Sequence, residues 1–404
     1  MWLYNTKRRR KELFKPCERG VVRVYVCGPT VYDLTHMGHA RSYVFFDVLR
    51  RYLNYLGYKT VFVQNFSDIS DMIEKKAEIT GKSPPEVAET FIKEFFLDMD
   101  RLGVLRADHY PKASQYVEKA VKIVERLVSL GVAYETERGV YLRVEKKDFG
   151  LVTDLDPESF VSEGSTTGKK GPLDVLLWCK RGKTPNWPSP WGRGIPGWDL
   201  ECFTMSKELL GHPIDIHGGG LDLIFPHHEN NALISKALQG EEHARYYVHH
   251  GLVLHGDEKM SKSLGVYVRI RDALKKHDPK TLRFFILKTH YHKPLRYNEE
   301  DLKEACYTLH KLRRTVEKLG EVLSADADPQ QPGNGENTDL VHQTKKDVLE
   351  ALNDDVNTEK AINKLVLLAK DLSSLVEEKY LDRSGAAAAS TLYNDICGKV
   401  FNIL

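Results

Sequence analysis

Two short strings carry the residue types that phosphate chemistry uses. His36-Met37-Gly38-His39 stands where a helical pattern begins. A helix N-terminus presents free N–H groups and a partial positive charge, so it is a natural phosphate site. Gly38 lets a ligand approach the backbone, and the two imidazoles add donors for phosphoryl oxygens. The second string is Lys259-Met260-Ser261-Lys262-Ser263, followed by Leu264-Gly265. Two lysines on a serine-rich loop can close over a triphosphate and neutralise the charge that builds as the α-phosphate is attacked and pyrophosphate leaves. Alone, each string is a weak signal, and the second also reads as a surface loop with two solvated lysines.

Cysteine and histidine supply a second kind of chemistry. The six cysteines are Cys17, Cys27, Cys179, Cys202, Cys306 and Cys397, with no CxxC and no framework spacing. In a reducing compartment such a set does not form disulfides. Any metal site must be assembled from distant parts of the chain. Outside a wider pattern, each cysteine reads as a small buried hydrophobe.

The elements that would position these residues form an α/β pattern. Val21 to Val26 is a short β-rich run, broken by Cys27-Gly28-Pro29-Thr30. From about Gly38, Val44, Val48 and Tyr52 form one helical row and Phe45, Leu49 and Leu53 the next, with Gly57 at the C-terminal glycine position. Thr60 to Val63 reads as a second strand, completing a β-α-β unit of the kind that builds parallel sheets. Residues 84–130 read as helices with an apolar stripe of Phe91, Phe95, Phe96 and Met99. Residues 131–195 hold short β-like pieces and the turn-rich Thr184 to Pro196. The α/β pattern resumes with a strand at Ile214 to Ile216, the glycines Gly218 to Gly220, a helix from about His227, and a strand from Tyr247 to Leu254. From about 295 the chain is helical, apart from the polar Ser324 to Asn337, whose composition is that of a flexible linker. Ile362, Leu365, Leu368 and Leu372 line one face of the last segment.

Composition narrows the class of protein. A chain of 404 residues, 41% hydrophobic and 29% charged, can bury more than one core and keep a polar surface. No apolar run reaches the ~18 residues a bilayer span needs. The N-terminus is basic but lacks an apolar signal region, so a cytosolic location is expected. A net charge of +2 excludes a uniformly basic coat and leaves room for a local patch. The densest run, Lys7 to Lys11, is open to two readings: a solvated basic edge or an RNA contact.

Taken together the motifs say more than each does alone. CGPTVYDLTHMGHAR, WPSPWG, PGWDLEC, DIHGGGLDLIFPHHEN and EKMSKSLG stand in the order and spacing of the cysteine-specific class I aminoacyl-tRNA synthetases, which the chain resembles from Leu3 to Leu404. The resemblance implies an α/β fold with a Rossmann-like, doubly wound parallel sheet, an inserted subdomain and an α-helical C-terminal domain. The division it suggests is 1–104 and 196–255 for the two halves of the catalytic domain, with 105–195 as the connective insertion. Residues 256–323 follow as loop and helical connector, 324–340 as linker, and 341–404 as a helical domain of the tRNA-binding type.

The implied reaction is activation of L-cysteine by ATP, with Mg²⁺ on the phosphates, and transfer to tRNA(Cys) by a cytoplasmic, monomeric enzyme with no membrane partner. His36, His39, Lys259 and Lys262 occupy the catalytic positions. Thr30, Gly38, Gly218, Gly219, Gly220, Asp222, Met260, Ser261 and Ser263 complete the ATP positions. Cys27, Gly28, Thr30, Ser67, Trp198 and His217 face the amino acid. For Trp198 the plain alternative is ordinary core packing. The family's zinc ligands fall on Cys27, Cys202 and His227, with Asn231 where a glutamate is expected. Zinc would separate cysteine from serine by favouring a thiolate over a hydroxyl. Three protein ligands with an open position are expected, and Asn231, His228 or Glu229 could substitute for the missing carboxylate.

Other departures are Ser67-Asp68-Ile69-Ser70-Asp71-Met72 where the family reads TDIDDK, and Val266 where it has asparagine. The chain also stops before the small anticodon-contacting domain of typical members. The resemblance extends to mycothiol cysteine ligase, which passes activated cysteine to a glucosaminyl-inositol amine and which also ends after a helical segment and lacks the zinc-site glutamate and the lysine position held here by Met72, although His217 stands where that ligase has glutamine. A catalytically inactive RNA-binding relative is the third reading.

Overall fold

The computed structural model describes residues 1–160, 168–256, 258–260, 267–324 and 335–404. The chain opens on an antiparallel pair, β1 (Trp2–Asn5) and β2 (Arg10–Leu13). It then enters the central sheet through β3 (Val21–Val26), α1 (Met37–Tyr55) and β4 (Lys59–Gln64). Both helical rows of α1 are buried, because the helix lies between the sheet and further helices. Each such leucine or phenylalanine contributes roughly 1.5–3 kcal/mol of burial. The helix stops at Leu56, and Gly57 takes φ +89°, a conformation favoured by glycine.

Next come α2 (Asp71–Thr80) and α3 (Pro84–Arg101). Glu86 accepts a hydrogen bond from the main chain of Ser83 at 2.8 Å, so the two prolines begin α3 at a capped end. Helix α4 (Val117–Ser129) leads into an antiparallel sheet of β5 (Ala133–Glu135), β6 (Gly139–Leu142), β7 (Val175–Lys180) and β8 (Gly194–Pro196). Helix α5 (Trp198–Leu210) returns the chain to the central sheet at β9 (Ile214–Gly220), followed by α6 (Glu229–Gln239) and β10 (Ala244–His250).

The order of the central sheet is β10-β9-β3-β4, and every pair in it is parallel. The chain therefore turns to one side after β3 and to the other after β9. Between them lies a topological switch point, where α/β folds open a ligand crevice. Three further strands, β11 (Val253–His255), β12 (Glu258–Lys259) and β13 (Leu295–Tyr297), form a small sheet beside it, with α7 (Ile270–Lys276) and α8 (Pro279–Leu287) between β12 and β13. Helices α9 (Glu299–Ser324), α10 (Glu336–Asn353), α11 (Thr358–Glu377) and α12 (Arg383–Tyr393) close the molecule as a bundle. Ile362, Leu365, Leu368 and Leu372 are all buried in that bundle.

Several expectations need correction. Gly218 to Gly220 belong to β9 itself, and the expected single strand from Tyr247 to Leu254 is two strands that break at Gly251-Leu252. Cys17 and Cys306 are exposed and Cys179 is half-buried; outside Cys27 and Cys202, only Cys397 is the buried hydrophobe expected of each cysteine. The basic run from Lys7 to Lys11 is partly offset by four carboxylates, three of them distant in sequence. Lys7 and Arg8 meet Glu242, Arg9 meets Asp154, Arg10 meets Glu12, and Lys11 meets Asp354. Ser261, Lys262, Ser263 and most of the expected linker lie outside the described residues.

One buried ion pair joins α1 to the helices after the central sheet. Arg283 of α8 donates to Asp47 of α1 and to the carbonyl oxygens of Leu102 and Phe401, and both charged side chains are fully buried. Asp47 also accepts from Leu105 N–H at 2.9 Å and Arg51 at 2.9 Å. Removing one partner of such a pair strands the other charge in a medium of low dielectric. Arg283→Met is expected to lower unfolding free energy by about 3–5 kcal/mol, read as a shift of the urea midpoint.

Candidate active site and metal centre

The cleft at the switch point has a volume of about 260 Å³ and is lined by the end of β3, the start of α1 and the end of β9. Its phosphate end is the N-terminus of α1. His36 is the N-cap, and its Nδ1 accepts from Gly38 N–H at 3.0 Å. His39 Nδ1 accepts from His36 N–H at 3.2 Å, and the two rings stack at 4.0 Å. Because both Nδ1 atoms accept, the neutral rings carry their proton on Nε2 and present it as a donor.

The segment that follows the other phosphate motif pairs with the start of this helix, and the motif's first residues pair with β11. On the far side, Met37 N–H donates to Val268 O at 2.9 Å and Ile270 N–H to Thr35 O at 3.1 Å. On the near side, Met260 N–H donates to Val253 O at 2.9 Å, and Met260 lines the cleft. Met260 thus shares the cleft with His36 and His39, and Val268 is bonded to the first residue of α1.

Deeper in the cleft, three elements bring sulfur and imidazole together. Cys27 follows β3, Cys202 lies on α5 and His227 precedes α6. Their ligand atoms all lie within 4.8 Å of one another and all three residues are buried. The Cys27 and Cys202 sulfurs are 4.0 Å apart. His227 Nδ1 is held by Asp199 Oδ1 at 2.7 Å, while its Nε2 is buried with no hydrogen-bond partner among the described residues. An anchored Nδ1 and an orphaned Nε2 are what a metal-ligating histidine needs. Two sulfurs and one imidazole nitrogen suit Zn²⁺. The residues therefore fit the metal that the resemblance implies.

The proton distribution agrees. A hydrogen bond from Cys27 and the nearby His227 cation pull the Cys202 thiol down to about 5. Burial pushes the Cys27 thiol well up. His227 rises to about 10, because the Cys202 thiolate and Asp199 outweigh the cost of burying its charge. Without a metal the cluster keeps protons on Cys27 and His227, and a cation must displace them.

A second set, Cys27, His217 and His228, also satisfies the distances. It offers only one sulfur. His217 Nε2 and His228 Nε2 already lie 3.4 and 3.3 Å from Cys27 Sγ, and their Nδ1 atoms contact His243 and His249 at 3.1 and 2.8 Å. Burial holds both rings neutral. The set with two sulfurs is the better match to Zn²⁺. His217, expected in the amino-acid pocket, lies fully buried beneath Cys27. Asn231 donates to Asp199 O at 2.7 Å, and its Oδ1 is buried without a partner among the described residues. Glu229 is not a substitute ligand. Its carboxylate accepts from the main-chain N–H groups of Gly150, Leu151, Val152 and Thr153 at 2.6–2.9 Å.

Trp198 is 49% exposed and stacks on the His227 ring at 4.6 Å, so the core-packing alternative falls. Thr30 lines the cleft, and Ser67 bridges to it from behind. A Cβ at Gly28 would lie 1.5 Å from Asn65 O, and one at Gly218 would lie 2.3 Å from Phe46, so both positions need glycine for close packing. At Gly220 a Cβ would strike Asp222 Oδ1 at 2.5 Å. Asp199, His228, His243 and His250 were not singled out for this site by sequence. The one signal for Asp199 is its place three residues before Cys202 in PGWDLEC.

Comparison with known proteins gives this geometry its class. Residues 13–307 match the family described as the tRNA synthetases class I (C) catalytic domain, so the site is that of a class I tRNA synthetase. Its fold is also that of solved structures. Mycobacterium tuberculosis methionyl-tRNA synthetase in complex with methionyl-adenylate matches with a TM-score of 0.69 at 16% identity, covering 95% of this chain and 90% of that one. The Agrobacterium radiobacter K84 LeuRS in its ternary complex matches with a TM-score of 0.71 at 12% identity, covering 96% and 85%. At these identities the likeness is one of fold alone.

Within that class the chain belongs to the cysteine–tRNA ligase family. It is 45% identical to cysteine–tRNA ligase of Thermococcus onnurineus, over 89% of this chain and 77% of the relative. For the enzyme of Thermococcus gammatolerans the identity is 41%, over 99% and 86%. For that of Methanococcus maripaludis it is 38%, over 99% and 86%. These relatives lend no support to an amino-sugar acceptor or to an inactive RNA-binding relative.

The metal reading has a direct consequence. Asp199→Ala frees the His227 ring and is expected to weaken Zn²⁺ affinity about 10–100-fold, measured by chelator competition. Affinity in the unmodified chain should climb with pH, because Cys27 and His227 must give up protons to the metal.

Proposed function

We propose that this chain activates L-cysteine with ATP, supplied as its Mg²⁺ complex, and transfers it to tRNA(Cys). The observation that carries the reading is the buried Cys27–Cys202–His227 set lying deep in the cleft that His36 and His39 line. A metal held there supplies a preference for a thiolate over a hydroxyl and keeps the substrate sulfur deprotonated. Trp198, stacked on His227, covers the side chain. Thr30 and Ser67 bound the space where the α-amino and carboxylate groups lie.

The substrate carboxylate attacks the α-phosphorus of ATP. A bond forms from carboxylate oxygen to phosphorus, the bond to the bridging oxygen breaks, and pyrophosphate leaves with that electron pair. The Nε2–H groups of His36 and His39 donate to phosphoryl oxygens, and Lys259 and Lys262 neutralise the charge that accumulates on them. Gly219 and Gly220 admit the adenosine, with Gly218 keeping β9 close to Phe46 behind them, and Asp222 accepts from its ribose. The terminal hydroxyl of the tRNA then attacks the acyl carbonyl and AMP leaves. Most of the acceleration is positioning and charge stabilisation, with no covalent enzyme intermediate. Residues 105–195, which carry nearly all of the antiparallel sheet, are the connective insertion, and the helices of 341–404 face the tRNA. Anchoring of the segment around Leu151 by Glu229 ties that insertion to the metal-bearing element.

Cysteine-dependent ATP–pyrophosphate exchange, followed by cysteinylation of a tRNA(Cys) transcript, tests the proposal. Both are expected, with serine inert in the exchange. His39→Ala and Lys262→Ala should each slow adenylate formation about 10²–10³-fold while the far-UV spectrum is retained. Near-normal exchange in both variants would overturn these assignments.

A further inference from the structure

His250 stands in the wall of the cleft with no role assigned above. It ends β10, directly opposite Gly220 in the parallel ladder, and is 6% exposed. Its Nδ1 lies 2.9 Å from the carbonyl oxygen of Gly251. A carbonyl oxygen only accepts, so Nδ1 carries the ring proton and Nε2 of the neutral ring carries a lone pair. Burial lowers the ring's pKa to about 4, with Arg41 acting in the same direction against Gly251 and Asp222. The ring is therefore neutral at physiological pH.

The carbonyl that sets this tautomer cannot drift. Arg41, on α1, is 1% exposed. Its Nε donates to Gly251 O at 3.1 Å, and Nη2 donates to the carbonyl oxygens of His290, Tyr291 and Lys293 at 3.1, 3.0 and 2.6 Å. Gly251 is wedged against the same segment, since a Cβ there would lie 2.4 Å from Lys293 O. The acceptor atom is thus fixed by main chain that a buried guanidinium holds in place.

The direction of Nε2 follows from Gly220. A Cβ at that glycine would meet Asp222 Oδ1 at 2.5 Å and His250 Nε2 at 3.6 Å. Two acceptors flank one small space, and Nε2 makes no hydrogen bond among the described residues. A phosphate offers only acceptors and would be repelled there. A vicinal diol brings two donors.

We propose that His250 Nε2 accepts a hydrogen bond from one ribose hydroxyl of ATP while Asp222 takes the other. The proposal rests on the reading of this cleft as the ATP site. Arg41 acts through Gly251 as a positioning residue for it.

The test is cysteine-dependent pyrophosphate exchange with ATP, 2′-deoxyATP and 3′-deoxyATP, using the full chain and its His250→Phe and His250→Gln variants. In the unmodified protein both deoxynucleotides should show a raised KM. His250→Phe should raise KM for ATP about tenfold and erase the preference for ATP over one deoxynucleotide but not over the other. His250→Gln, whose amide oxygen can stand near the place of Nε2, should keep most of that preference. KM for cysteine should stay within about twofold in both variants. An equal loss on all three nucleotides in His250→Phe would mark the ring as structural and overturn the proposal, as would no change on any of them. If His250→Phe does not fold, equal use of ATP and both deoxynucleotides by the unmodified protein, or loss of both preferences in His250→Gln, overturns it. Absence of exchange with every nucleotide in the unmodified protein would instead overturn the ATP reading of the cleft.

Discussion

Cys27 donates its main-chain N–H to the carbonyl oxygen of Gly218 at 3.1 Å, extending the pairing of β3 and β9 to the rim of the cleft. The thiol and the glycine face that bounds the nucleotide space are thereby held one residue pairing apart. The chain between them is long, and it is spent on α1, the antiparallel sheet and α5. Cys202, on α5, and His227, beyond β9, reach Cys27 from different elements. On the proposed function, the places of the amino-acid side chain and of the nucleotide both depend on this strand junction. A small shift there would move both substrates relative to each other, and reactions of this type lose rate steeply with misplacement.

Charge balance fits the Cys27–Cys202–His227 set to a divalent cation. Two thiolates and a neutral imidazole balance a divalent cation, whereas a further carboxylate would leave the site negative. Asn231 stands in the carboxylate's place and spends its amide N–H on the carbonyl of Asp199. Asp199 in turn fixes His227, so the substitution supports the orientation of a ligand at no cost in charge. Glu229, the nearest carboxylate in sequence, is fully occupied by four main-chain donors and cannot turn toward the metal.

The strand–helix–strand unit around α1 was legible because its apolar rows repeat at helical spacing and its end is marked by Gly57. Cys27, Cys202 and His227 were legible only through the combined motifs, since nothing in their local spacing links them. What remained hidden is tertiary. The run from Lys7 to Lys11 looks like a free basic patch until Glu242, Asp154 and Asp354 fold onto it. Cys17 and Cys306 carry no local sign of exposure. Trp198 has the composition of a core residue, yet it lies at the cleft because β8 delivers α5 there with its first turn facing the metal ligands. Asp199 and Arg41 act through hydrogen bonds to partners between 28 and 252 residues away, which no periodicity encodes.

The central claim is that Cys27, Cys202 and His227 hold a metal that leaves a position open for the thiol of the substrate. Zinc K-edge absorption of the metal-loaded protein, with and without L-cysteine, tests it most directly. The account predicts two sulfur ligands and one imidazole from the protein alone, a third sulfur when cysteine is added, and no added sulfur with serine. A shell completed by four protein ligands before cysteine arrives, or a sulfur count that cysteine does not change, would contradict it.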